Sequence, residues 1–116
     1  MDTKKIIEDQ LIEMGFDPSL RGFYCILHAV NYFIENSKEY YEVSLCSDVY
    51  NYVAEKMSIK KHSAERDIRT SVENVINVNP DSVKYIMDYK KGKPTNGTAI
   101  AFIVMMVRRK ISESNI

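Results

Sequence analysis

The stretch Val49-Tyr50-Asn51-Tyr52-Val53-Ala54-Glu55-Lys56-Met57-Ser58-Ile59-Lys60-Lys61-His62-Ser63-Ala64-Glu65-Arg66-Asp67-Ile68-Arg69 decides the reading of this chain. Val49, Tyr52, Val53 and Met57 recur at three- and four-residue steps, as one face of a helix does. Ser44 or Ser47 can cap that helix by accepting a hydrogen bond from its first turn. Ser58-Ile59-Lys60-Lys61 interrupts the pattern, and a longer helix follows with Ala64, Ile68, Val72 and Val75 on one face. At about 100° per residue, His62, Arg66, Arg69 and Glu73 gather on another face, with Glu65 near the border of the two. Two helices joined by so short a break read as a helix-turn-helix over about residues 45–78, whose second helix covers about 62–78.

In that motif the second helix lies in the DNA major groove and its N-terminal residues meet the base edges. Arg66 and Arg69 lie one turn apart, so they can address neighbouring base pairs. The planar fork of arginine donates two hydrogen bonds to guanine O6 and N7, and a glutamate such as Glu65 can accept from a cytosine amino group. Lys60, Lys61 and His62 stand at the helix entry, where phosphates flank the groove. A second basic stretch, Lys90-Lys91-Gly92-Lys93-Pro94-Thr95-Asn96, precedes another helix, and lysines beside free backbone N–H groups suit a phosphate. Blander readings compete with both sites. The first is a solvated helix face with an i,i+4 pair such as Arg69–Glu73, and the second is a solvent loop.

Working outward, the pattern stays helical. Ile6, Ile7, Leu11 and Met14 mark a first helix that ends at Gly15, a residue suited to a C-terminal cap. Phe23, Ile26, Leu27, Val30, Phe33 and Ile34 predict a central core helix from about Leu20 to Ser37. Glu39 to Val43 reads as an extended connector. Asn79-Pro80-Asp81 stops the helix that carries the arginines, and Asp81 or Ser82 can cap a short one holding Val83, Ile86 and Met87. Thr95 or Asn96 can cap a last helix striped by Ile100, Ile103, Val104, Val107 and Ile111. Arg108, Arg109 and Lys110 close it, where cations suit the helix dipole. The expectation is an all-α fold of about six helices, in a single domain over residues 1–116.

Charge is unevenly spread along this neutral chain. Residues 1–55 hold four basic and ten acidic side chains, and residues 56–116 hold twelve basic and six acidic ones. A local positive surface, not a basic whole, is what nucleic acid needs. The longest apolar run, Ala99 to Val107, is shorter than the roughly 20 residues of a membrane span, and the N-terminus has no apolar signal core. A cytoplasmic protein away from the membrane is therefore expected. Cys25 and His28 can share a helix face, but two ligands fall short of a structural zinc site, so no metal or other cofactor is expected. Eight tyrosines are scattered without a stacking platform. No phosphate loop, HExxH or nucleophile triad is present, which argues against an enzyme.

Four stretches carry a family resemblance. Arg21-Gly22-Phe23-Tyr24-Cys25-Ile26-Leu27, after Ile12-Glu13-Met14-Gly15-Phe16, is similar to a KGYxYL opening. Val49 to Met57 is similar to an LYPxIAKKF helix, and Glu65 to Glu73 to an ERAIRHAIE recognition helix. Lys93-Pro94-Thr95-Asn96 matches KPTN. In order and spacing the chain resembles the C-terminal DNA-binding effector domain of stage-zero sporulation protein A, the sporulation response regulator of endospore-forming bacteria. That resemblance implies a six-helix, winged-helix-like domain without a wing, acting on promoter DNA. It implies base contacts by Glu65, Arg66 and Arg69, a homodimer on tandem boxes, and contact with RNA polymerase. Ser63, Lys91, Lys93 and Thr95 join Lys60, Lys61 and His62 as expected phosphate contacts. Ser63 stands where the family usually has an arginine that holds the DNA backbone, and Asn51 replaces the proline of LYP. The family joins this domain to a phosphorylated receiver, so an excised domain or a stand-alone protein is expected here. The competing expectation is a protein-interaction module or antagonist of a related regulator, without DNA readout.

Overall fold

The computed structural model describes residues 2–81 and 94–114. Among the described residues there are five α-helices and no strand: α1 (Thr3–Met14), α2 (Arg21–Glu35), α3 (Tyr50–Met57), α4 (Lys61–Val78) and α5 (Asn96–Ser114). The all-α class is as the periodicity predicts. The short helix expected at Val83, Ile86 and Met87, which would make six, lies outside the described residues, as do Lys90, Lys91 and Lys93.

Local chemistry sets most of the boundaries. Asp2 caps α1 by accepting from the Lys5 N–H at 3.3 Å. Gly15 closes the helix in the left-handed region, at φ 96°, which glycine enters without a Cβ clash. The Phe16 N–H then returns to the Leu11 carbonyl at 3.0 Å, which turns the Phe16 ring into the core. Helix α2 is the central helix: Phe23, Ile26, Leu27, Val30 and Phe33 are all buried, and α1, α3, α4 and α5 pack around it. Each such side chain is worth about 1.5–3 kcal/mol of hydrophobic stabilisation.

The connector after α2 differs from its extended reading. Tyr40–Glu42 form a turn of 3-10 helix, because the Glu42 carboxylate reaches back to accept from the Glu39 N–H at 2.8 Å. The helix before the break also begins differently. Ser44, not Ser47, is the cap: its hydroxyl accepts from the Ser47 N–H at 3.1 Å, and a π turn at Leu45–Val49 leads into α3. Ser58, left-handed at φ 55°, ends α3, so only Ser58, Ile59 and Lys60 separate α3 from α4.

Helix α5 completes the core with Ala99, Ile100, Ile103, Val104 and Val107. Two of the cations expected to serve its dipole act instead across the fold. Arg108 pairs with Glu39 at 3.2 Å and donates to the carbonyls of Phe33 and Lys38, which lie at and beyond the end of α2. Lys110 pairs with Glu13 of α1. The helix also runs past them to Ser114. The acidic first half and the basic second half are thus tied together, so part of the charge asymmetry is satisfied internally.

Candidate nucleic-acid interface

Helix α4 buries Ala64, Ile68, Ser71, Val72 and Val75 and exposes His62, Arg66, Arg69 and Thr70. Its seat on α2 depends on Gly22. A Cβ there would overlap the Asp67 carbonyl oxygen and stand 2.7 Å from the Ser71 Cβ. Beside it, Arg21 Nε donates to Asp67 Oδ2 at 2.5 Å. That carboxylate raises the Arg21 pKa above its usual value, first by the hydrogen bond and then by charge. Asp67 is thereby turned to α2 and away from the exposed arginines.

The N-terminus of α4 is open. Lys60 is the flanking residue, with extended backbone, and no side chain caps the helix there. Asp2 and Ser44 do cap the elements they precede. The first N–H groups of a helix have no intrahelical acceptor, so at this end they are left for an outside one. The first bond of α4 runs from the Ala64 N–H to the Lys60 carbonyl at 3.0 Å. There is no acidic residue in the first turn. Lys60 and His62 are exposed, and Lys61 and Ser63 are half-buried. Because the helix starts at Lys61, Lys61 forms part of its first turn rather than of the break.

Arg66 is exposed and has no ion-pair partner among the described residues. Arg69 does have one: its Nη1 donates to Glu65 Oε1 at 2.8 Å. The pair weighed from the sequence, Arg69–Glu73, is not the one that forms. Acid before base at i,i+4 follows the helix dipole and base before acid opposes it. Glu65 itself lies between two clefts. One of about 340 Å³ is bounded by Cys46, Tyr50, Lys61 and His62, and one of about 410 Å³ by Tyr40, Arg69, Glu73 and Thr95 among others.

Of the second basic stretch, the described part begins at Pro94. Thr95, rather than Asn96, caps α5, since its hydroxyl accepts from the Thr98 N–H at 3.1 Å and shares a bond with the Thr98 hydroxyl. Asn96 does something periodicity could not reveal. Its Nδ2 donates to the Glu65 carbonyl at 3.0 Å and to the Tyr50 hydroxyl at 3.1 Å, so the last helix touches the turn that carries the arginines.

Among the described residues no three His, Cys, Asp or Glu side chains come together. Cys25 is buried in the core, and desolvation pushes its thiol up to about 11, with Asp67 adding to the shift and Arg21 opposing it.

No described helix is long and apolar enough to cross a membrane. A search of curated proteins found no match for the chain. A family model described as the C-terminal region of sporulation initiation factor Spo0A matches residues 7–107.

Proposed function

Because the chain belongs to the Spo0A C-terminal family, a family of DNA-binding regulatory domains and not of enzymes, we propose that it reads specific promoter sequences with α4 in the major groove. One observation carries the reading: Arg66 stands exposed and unpaired among the described residues, on a helix with an open N-terminus and a fully buried opposite face. Arg66 donates its fork to a guanine. Arg69 addresses the next base pair, oriented by Glu65, whose second carboxylate oxygen is left to accept from a cytosine amino group. Lys60, Lys61, His62 and Ser63 surround a phosphate that takes the place of the missing cap, where the helix dipole favours negative charge. Lys91, Lys93 and Thr95 hold a second phosphate. The proposal extends to a cytoplasmic regulator that binds tandem boxes as two copies and contacts RNA polymerase, as the family resemblance implies.

Selection of bound duplexes from random DNA, followed by titration, tests this. Arg66→Ala should lower the preference for the selected box by about 10- to 100-fold, the worth of one bidentate base contact. Lys60→Ala should weaken every duplex alike and reduce the salt slope by roughly 0.9. If no duplex were bound in a salt-dependent way, the DNA reading would fall and the protein-interaction module would replace it.

A further inference from the structure

We infer that Asn96 is a positioning residue for DNA readout, holding the first turns of α4 in the register from which Glu65, Arg66 and Arg69 reach the bases. This rests on the DNA-binding reading above. The two protons of one amide go to acceptors on two different elements, the Glu65 carbonyl in α4 and the Tyr50 hydroxyl at the start of α3. The orientation of the amide follows from chemistry, since a backbone carbonyl can only accept and must therefore face the nitrogen. A carbonyl has two lone pairs, so Glu65 can accept from Asn96 without giving up its helical bond.

The base from which Asn96 reaches is itself fixed. It is the first residue of α5, next to the Thr95 cap, and the Ala99 N–H donates to the Thr95 carbonyl at 3.0 Å. Gly97 presses so closely on Tyr40 that a Cβ would overlap the phenol oxygen. Tyr50 is buried at 7% exposure, and burial raises its pKa against the opposing Asn96 bond, so the hydroxyl stays neutral near pH 7. The first turn of α4 has no side-chain cap, so its leading N–H groups tie it to no neighbouring side chain. Asn96 supplies a restraint of another kind, a bond to the Glu65 carbonyl one residue before Arg66. It also links that turn to the Thr95 cap at the start of α5.

The test compares wild type, Asn96→Ala and Tyr50→Phe on the selected box and on a scrambled duplex at one salt concentration. Circular dichroism and melting are followed alongside, with amide hydrogen exchange over Ala64–Arg69. Asn96→Ala should keep its helical signal, lose about tenfold of its box-over-scrambled ratio, and exchange faster in that turn. Tyr50→Phe, which leaves the Glu65 bond in place, should keep the wild-type ratio. A purely structural role would lower both affinities in parallel and leave the ratio alone, and that result would overturn the inference. Should Asn96→Ala not fold, Asn96→Asp keeps the shape, and its ratio is read by the same rule. A wild-type protein without any preference for the box would instead overturn the DNA-binding reading, and this one with it.

Discussion

Replacing Gly22 by alanine puts the seat of α4 under direct strain. The added Cβ would overlap the Asp67 carbonyl and lie 2.7 Å from the Ser71 Cβ and 3.0 Å from the Asp67 carbonyl carbon. Restoring ordinary contact needs a displacement of roughly 1 Å, and close-packed interiors resist such shifts. Two of the three obstructing atoms belong to the backbone of α4, so no rotamer change can absorb it. Overpacking of this kind costs about 1–3 kcal/mol. The higher helix propensity of alanine returns up to about 1 kcal/mol. A net loss of about 1–2 kcal/mol should lower the melting temperature by roughly 3–10 °C for a chain of this size. Gly97→Ala is the matched control and should cost less, because its obstruction is the Tyr40 hydroxyl, the outer end of a 39% exposed side chain and not backbone. Thermal unfolding by circular dichroism compares the two. If Gly22→Ala melted at or above wild type, α2 and α4 could not approach as closely as described, and the placement of the arginines would lose its support.

Thr95→Ala removes the cap of α5 and should cost about 1 kcal/mol, read as a lower urea midpoint. His28 has its pKa lowered, chiefly by burial and then by Lys4 and Lys56. Its unfolded form takes up a proton first as pH falls through about 6.5, so stability should be full above that value and decline below it. The decline should be shallower in His28→Gln, and equal slopes would refute the assignment. Of the two free cysteines, only exposed Cys46 should react rapidly with a thiol reagent in the native protein, and Cys25 should join it after unfolding.

The helix faces were legible in the sequence because burial repeats with the helical period. Ala64, Ile68, Val72 and Val75 are all buried, as are Phe23, Ile26, Leu27, Val30 and Phe33. The exposed side of α4 could be read for the same reason. The partner of Arg69 was also within reach, since dipole orientation favours Glu65 over Glu73. What stayed hidden depends on which distant residues meet. Gly22 against Asp67 and Ser71, Arg108 at the end of α2, and Asn96 on Glu65 each join elements that local periodicity treats separately. The 3-10 turn at Tyr40–Glu42 was missed because a carboxylate reaching its own backbone leaves no periodic trace.

The long-range ties of α5 also order events in time. Glu13 and Glu39 find Lys110 and Arg108 only when α5 docks, and the same step buries the stripe from Ala99 to Val107. Until then α1 and α2 lack one of their covers, and contacts that close such wide sequence gaps form late. The bond from Asn96 to the Glu65 carbonyl in α4 forms in the same step. Loosening α5 should therefore also loosen the start of α4, although the two helices are far apart in sequence.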